Sequence, residues 1–309
     1  MNIFITGANG FIGKHLLDDL IKRTCFNIFI LLKKNNKNQK LDKIFYSQRV
    51  HITYGNYDEL DKLKKLIYKC DLICNLGFPN KLKFKNNLKK KDYLMSLRNI
   101  LCILKEKKNF KLVHISSSEV YGFKKITNKI SYSENVKTLP QNAYAKAKLE
   151  AEKLILKSNP KIIKNTIILR LFNVYGIGQT KKTIINDIIS KLSLNKKRIK
   201  LKNIYDERDY IFLNDVIDAI RYSLLSKNIS GVYNVSSGKT ISVKNIFKVI
   251  KDIIGKNKVK LLDSRNFKYS SFSSGKNLKI RKKIGWKPRY SSIEAFKKNI
   301  KKILIYKNK

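Results

Sequence analysis

Apolar and polar positions along the first half of the chain repeat a simple pattern: a short continuous apolar run, a turn, then apolar residues at helical spacing. Residues 2–6 (NIFIT) are rich in β-formers and stop at Gly7, which predicts a buried strand. Residues 14–21 place apolar side chains at 16, 17, 20 and 21, one face of a helix. The same reading predicts strands over 26–32 (FNIFILL), 50–53, 70–76 (CDLICNL), 111–116 (KLVHIS) and 166–171 (TIILRL). Helices are predicted over 58–68, over 92–105 with apolar residues at 94, 97, 100, 101 and 104, and over 144–157. Strands alternating with helices through short connections predict an α/β fold with a doubly wound parallel sheet. No internal repeat and no Pro/Gly/Ser-rich linker interrupts the chain. From residue 172 onward the pattern loosens into helical and loop segments. The expected organisation is a larger α/β domain over 1–172 and a smaller lobe over 173–309. Some segments of the lobe return to the sheet, and the lobe sits on the carboxyl edge where such sheets bind ligands.

Composition narrows the class. The 309 residues are 43% hydrophobic, enough for a large core, and no apolar run reaches the roughly eighteen residues of a membrane span. The opening apolar run contains a glycine turn and is followed by charges, unlike a signal peptide. Cys25, Cys70, Cys74 and Cys102 lie in or beside apolar segments, so reduced, buried thiols in a cytoplasmic protein are expected. With no histidine near Cys70 and Cys74, no metal site is expected. The formal net charge is +46, from 68 Lys and Arg against 22 acids. It allows either a nucleic-acid surface or a lysine-biased composition on solvated faces. The excess is spread through the chain, including loops 33–40 and 81–91, which favours compositional bias and no specific nucleic-acid partner.

Two groups of residues carry chemistry. Gly7, Gly10 and Gly13 sit three apart between the first strand and the first helix. Such a turn permits positive φ, lets the main chain approach a ligand, and brings helix and strand together. Phe11 and Ile12 open the helix, whose unpaired N–H groups suit a pyrophosphate. Further on, Ser116, Ser117, Ser118 and Glu119 end the fifth strand, and Tyr144 and Lys148 lie four apart on one predicted helix. A lysine beside a phenol favours the phenolate and brings its proton exchange closer to neutral pH. A serine hydroxyl beside that phenol can hold a substrate oxygen or relay the proton.

The motifs extend nearly from end to end: TGANGFIG at 6–13, SSSEVYG at 116–122, YAKAK at 144–148, LRLFNVYG at 169–176, RDYIFLNDVIDAI at 208–220, GVYNVSSGKTISV at 231–243 and IGWKP at 284–288. In these the chain resembles the extended short-chain dehydrogenase/reductases of the nucleotide-sugar epimerase/dehydratase branch. The resemblance implies a Rossmann-type domain binding NAD or NADP, a C-terminal lobe binding a nucleoside-diphosphate sugar, and a homodimer. It implies that Tyr144 is the acid/base, that Lys148 holds the nicotinamide ribose and lowers the tyrosine pKa, and that Ser117, four residues before Tyr121, completes the triad. Gly7, Gly10, Phe11, Ile12 and Gly13 would hold the pyrophosphate, and Asn56, where the family usually has Asp, would face the adenine. Ser118, Asn173, Arg208 and Arg265 would meet the sugar nucleotide. Arginine suits its diphosphate through bidentate contact.

Three departures bear on chemistry. Leu32-Lys33-Lys34 ends the second strand where NAD users often carry an acid, which suits the 2′-phosphate of NADP. Tyr93 stands where many relatives have Asn, and Asn75-Leu76-Gly77-Phe78 replaces His-Leu-Ala-Ala. Ser118-Glu119 follows Ser117. In sugar 4,6-dehydratases a Glu there does part of the extra acid/base work, and Ser followed by Glu also resembles GDP-mannose dehydratases and UDP-glucuronate decarboxylases. The implied reaction is hydride transfer at C4 of an NDP-hexose, by a 4-epimerase or a 4-ketoreductase. The dehydratase or decarboxylase chemistry is the runner-up, and a non-catalytic RNA-binding protein is the rival from another class.

Overall fold

The computed structural model describes residues 1–33, 41–77, 87–125, 129–179, 183–194, 196–264 and 270–307. The first half runs β1 (Asn2–Thr6), α1 (Phe11–Arg23), β2 (Asn27–Leu32), β3 (Val50–Tyr54), α2 (Leu60–Tyr68), β4 (Leu72–Asn75), α3 (Asn87–Glu106), β5 (Lys111–Ser117), β6 (Lys124–Lys125), α4 (Ala143–Leu156), α5 (Pro160–Lys164) and β7 (Thr166–Leu171). The second half continues with β8 (Asn173–Tyr175), α6 (Ile184–Ser193), β9 (Arg198–Leu201), β10 (Glu207–Phe212), α7 (Leu213–Leu225), β11 (Gly231–Val235), β12 (Thr240–Ser242), α8 (Val243–Ile254), β13 (Lys260–Asp263), β14 (Ser271–Ser273), α9 (Leu278–Ile284) and α10 (Ile293–Lys307).

Seven strands form one parallel sheet in the order β11-β7-β5-β4-β1-β2-β3. Every residue of β4 and β7 is buried, as continuous apolar runs in a sheet covered on both faces require. Leu16, Leu17 and Leu20 of α1 and Val216, Ile220 and Leu224 of α7 cover one face. Leu63 and Ile67 of α2, Leu94, Leu97 and Leu101 of α3, and Ala151 and Ile155 of α4 cover the other. The strand order reverses between β1 and β4, the point where open α/β sheets form a crevice.

The parallel strands of the first half fall where periodicity puts them, the two-residue β6 and the short α5 are not predicted, and two helices start elsewhere. The second begins at Leu60 because the Glu59 carboxylate accepts the Asn56 amide at 2.8 Å, which keeps the preceding residues in a turn. The third begins at Asn87, since a polar opening segment gives no apolar signal. Beyond residue 172 the expectation of helix and loop misses seven strands, most of three or four residues, too short for a period to register. There β11 and α7 join the main sheet layer, while β12, β10, β14, β6 and β8 form a second sheet and β13 pairs β9. Cys70 and Cys74 are buried as expected, but Cys25, at the exit of α1, and Cys102, on the outer face of α3, are exposed. Among the described residues no helix is long and apolar enough to cross a membrane.

Candidate functional site

The glycine turn meets the switch point of the sheet. Gly7 takes a left-handed φ of 69°, and a β-carbon there would lie 2.9 Å from Gly77 Cα, in the segment that leaves β4. Gly13 is packed against the turn: its β-carbon would lie 2.7 Å from Ala8 Cα and closer still to the Gly7 carbonyl. Gly10 is exposed, and among the described residues its β-carbon would meet only the Gly7 carbonyl, at 3.2 Å. Two of the glycines thus shape the turn and the third leaves its surface open. The first bond inside α1 runs from Lys14 N to Gly10 O, so the amides of Phe11, Ile12 and Gly13 precede it and are oriented by the helix start. This cradle fits a dinucleotide pyrophosphate. Lys33 is exposed at the end of β2, and Asn56 is exposed after β3. Lys34, Phe78 and Arg265 lie outside the described residues.

The second group forms where β5 ends and α4 begins. Helix α4 is alanine-rich, which favours helix and lets Ala147 and Ala151 pack closely. Asn142 caps it, its Oδ1 accepting from Ala145 N at 2.9 Å. Tyr144 and Lys148 share one face, Tyr144 half-buried and Lys148 buried. A hydrogen bond joins Tyr144 to Ser117, whose Oγ also accepts the Glu119 amide at 3.2 Å. Lys148 Nζ donates to the Ile115 carbonyl at 2.7 Å and lies 5.5 Å from the centre of the Tyr93 ring. Ser116 points elsewhere, donating to Glu152, and Ser118 is buried at the start of a 3₁₀ turn over Ser118–Tyr121.

Burial dominates the electrostatics. It pushes the Tyr144 phenol well above its ordinary value; the nearby Glu119 carboxylate adds to the shift and the Ser117 hydrogen bond opposes it. The expectation of a lowered phenol pKa is therefore corrected for this state of the protein: desolvation outweighs the stabilisation of a phenolate. The same desolvation brings Lys148 down to about 7, against the pull of Glu152. Glu152, one turn beyond Lys148, accepts from Arg170 at 2.6 Å in a fully buried ion pair, and Arg170 also donates to the Tyr121 hydroxyl at 2.9 Å. Removing one partner of such a pair costs about 3–5 kcal/mol.

Asn173 and Arg208 lie on the strands of the second sheet. Asn173 Nδ2 donates to the Asp209 carbonyl at 3.0 Å. Arg208 bonds Ser271 Oγ at 2.6 Å and Asp206 at 3.1 Å, and stacks 4.4 Å over the Phe123 ring. Phe123 is held by Gln141, just ahead of α4, so the guanidinium is linked through one aromatic ring to the segment after β5. Sequence reasoning missed Phe123, His114 and Asn142; only Asn142 carried a signal, as an N-cap residue before an alanine-rich run. A cavity of about 440 Å³, lined by Tyr175, Tyr210, Lys239, Lys248, Tyr290 and Lys297, opens in the lobe, and none of the candidate catalytic residues lines it.

A family model described as the NAD dependent epimerase/dehydratase family matches residues 3–236. The chain belongs to that family. Among curated relatives, the dTDP-D-glucose 4,6-dehydratase of Dictyostelium discoideum is 29% identical over 285 residues, covering 81% of this chain and 62% of its own length. This chain thus spans less than two thirds of that relative. The dTDP-4-dehydro-6-deoxyglucose reductase of Escherichia coli is 24% identical over 317 residues, covering 97% of both chains. Among solved structures, a Tyr-to-Phe mutant of UDP-glucuronic acid 4-epimerase from Bacillus cereus, in complex with UDP-4-deoxy-4-fluoro-glucuronic acid and NAD, superposes with a TM-score of 0.80 at 25% identity, covering 98% of this chain and 100% of that one.

Proposed function

We propose that this chain is a nucleotide-sugar oxidoreductase that moves hydride between the nicotinamide of NAD or NADP and C4 of a nucleoside-diphosphate hexose, as a 4-epimerase or a 4-ketoreductase. The observation that carries the reading is Tyr144 hydrogen-bonded to Ser117 with Lys148 buried one turn along the same helix. The dehydratase, the reductase and the epimerase similar to this chain each carry a nucleotide-linked sugar in their names, which supports the substrate class. The dinucleotide, when bound, supplies the hydride donor or acceptor and, when oxidised, a positive charge that opposes the upward shift of the Tyr144 phenol.

The chain's own residues handle the proton. A phenol kept protonated by burial meets a C4 ketone as an acid, giving its proton to the ketone oxygen as hydride reaches the carbon. In the opposite direction the phenolate takes the proton of the O4 hydroxyl. Ser117 holds the same sugar oxygen, and Lys148 holds the ribose. In this proposal residues 1–172 bind the dinucleotide through Gly7, Gly10, Phe11, Ile12, Gly13, Lys33 and Asn56. The lobe over 173–309 supplies Asn173, Arg208 and Arg265 to the substrate, with Ser118 beside the sugar. A 4,6-dehydratase is the second reading. It is favoured by Glu119, whose carboxylate acts on the Tyr144 phenol and accepts from Asn142 at 2.8 Å.

Native mass spectrometry of freshly purified protein, with identification of any released dinucleotide, tests the proposal first. Retained NAD points to a cofactor recycled in each turnover, as in an epimerase or dehydratase. An empty protein that prefers NADPH points to a ketoreductase. No affinity for either dinucleotide overturns the proposal, as does turnover of UDP- or dTDP-hexoses that persists in Tyr144→Phe.

A further inference from the structure

Arg208, near the start of β10, has four acceptors on its two Nη atoms. Nη1 donates to the Glu207 carbonyl at 2.9 Å and to the Ser271 carbonyl at 2.8 Å, both on the main chain. Nη2 donates to Ser271 Oγ at 2.6 Å and to Asp206 Oδ2 at 3.1 Å, both on side chains. A guanidinium carries five N–H donors, so the Nε hydrogen alone is left over. The Phe123 ring covers one face of the plane at 4.4 Å. A diphosphate that takes a guanidinium edge by bidentate contact must therefore displace something. The acceptors on Nη1 are main chain of β10 and β14, which pair with each other, so that nitrogen is held by the sheet itself. The Nε–Nη2 edge is the one that can open, and Asp206 and the Ser271 hydroxyl occupy its Nη2 half.

Asp206 is the acid that competes for this edge. Three acids flank Arg208 in sequence, at 206, 207 and 209. Glu207 is engaged by Lys129 at 2.7 Å and by Thr240 at 2.9 Å. Asp209 accepts the Ser237 and Gly238 amides at 2.8 and 3.0 Å, on the other face of the strand. Among the described residues only the Asp206 carboxylate touches the guanidinium, and the two side chains are 12% and 14% exposed. Water is largely excluded from such a pair, so the guanidinium needs an anion beside it whether or not a substrate is present. The Asp206 carboxylate divides its work: Oδ1 accepts the Ser271 amide at 2.8 Å while Oδ2 faces Arg208. It can release the arginine and keep its own place.

We infer that Asp206 is a latch on the candidate diphosphate site, holding Arg208 at Nη2 in the free protein and giving way to a phosphate oxygen when a nucleoside diphosphate or its sugar binds. This rests on the reading of Arg208 as a substrate residue. Asp206 acts through Arg208 and is a positioning residue. It lowers affinity, because binding must first break a hydrogen bond between charged groups. In exchange, the free protein holds no buried guanidinium without a counter-charge.

Calorimetric titration of the full chain with UDP and with dTDP tests the latch. Asp206→Asn keeps an oxygen for the Ser271 amide and turns an amide toward Nη2. It should bind about tenfold tighter than wild type, the size of one competing hydrogen bond to a charged group, while the free variant unfolds at a lower temperature. A merely structural role would not tighten binding. Loss of any negative charge near an anion site does so by Coulomb attraction alone, so the same substitution is repeated in Arg208→Met. There the gain should stay within about twofold, the scatter of uncoupled sites. An equal gain in Arg208→Met overturns the latch in favour of a general charge effect. If Asp206→Asn does not fold, Ser271→Ala frees the same nitrogen of one acceptor and must tighten binding in its place; unchanged affinity there overturns the inference. Binding by wild type that Asp206→Asn leaves unchanged overturns the latch alone. Protein that binds neither UDP nor dTDP in any variant overturns the nucleotide-sugar reading, and the latch with it.

Discussion

Asn142 clamps Glu119 and caps the helix that carries Tyr144 with the same side chain. Its Nδ2 donates to Glu119 Oε2 at 2.8 Å while its Oδ1 accepts the Ala145 amide at 2.9 Å, with only Ala143 and Tyr144 between cap and donor in sequence. The carboxylate that acts on the Tyr144 phenol is therefore fixed relative to the helix that carries the phenol.

Asn142→Ser separates the two roles. Serine retains a capping oxygen but has no amide to hold Glu119, so thermal stability should stay within about 0.5 kcal/mol of wild type while kcat falls. Asn142→Ala should lose about 1 kcal/mol more from the missing cap. Thermal unfolding and steady-state kinetics on the same preparations check both; equal loss of kcat and stability in the serine variant would assign the clamp no part in turnover.

Gly10 and Gly13 should respond differently to alanine. At Gly13 the added carbon meets Ala8 Cα at 2.7 Å, so the turn must shift, at about 1–3 kcal/mol. At Gly10 the neighbour among the described residues is the Gly7 carbonyl at 3.2 Å, a contact relieved by a shift of a few tenths of an ångström, so Gly10→Ala should lose less stability than Gly13→Ala and lose dinucleotide affinity. Calorimetric titration with NAD and NADPH, beside thermal unfolding, reads the contrast. Unchanged affinity in a folded Gly10→Ala would remove the pyrophosphate from this surface.

Lys148 predicts a pH dependence of stability. Its pKa falls from 10.5 to about 7 in the folded protein, so between those values the unfolded chain binds more protons at this site. Its contribution to stability then rises with pH from about 7 to 10.5 and is lost as pH falls through the folded value. Lys148→Met removes that dependence. Denaturant unfolding across this range should show the variant gaining on wild type toward pH 7 and the gap narrowing toward pH 10. A gap that does not vary with pH would show that burial of Lys148 leaves its proton affinity unshifted.

The sequence by itself determined the sheet and the identity of the chemical groups. Six of the seven strands of the parallel sheet, β1 to β5 and β7, are written as mainly apolar runs because most of their side chains are covered by helices. Gly7, Gly10 and Gly13, and the Tyr144–Lys148 spacing, are equally local: a turn and a helix place them without help from distant residues. Tertiary structure decided the rest. The short strands after residue 172 exist because other strands pair with them, and no local period announces three residues such as Thr240–Ser242. It also decided the state of the phenol. The surrounding protein removes the water that a charge requires, the Glu119 carboxylate adds to the effect, and together they outweigh the Ser117 hydrogen bond. A row from Thr6 through Asn75 and His114 to Tyr93 joins residues up to 108 positions apart. Only the register of three parallel strands brings Thr6, Asn75 and His114 together, and their side chains meet there at 2.7 and 3.1 Å.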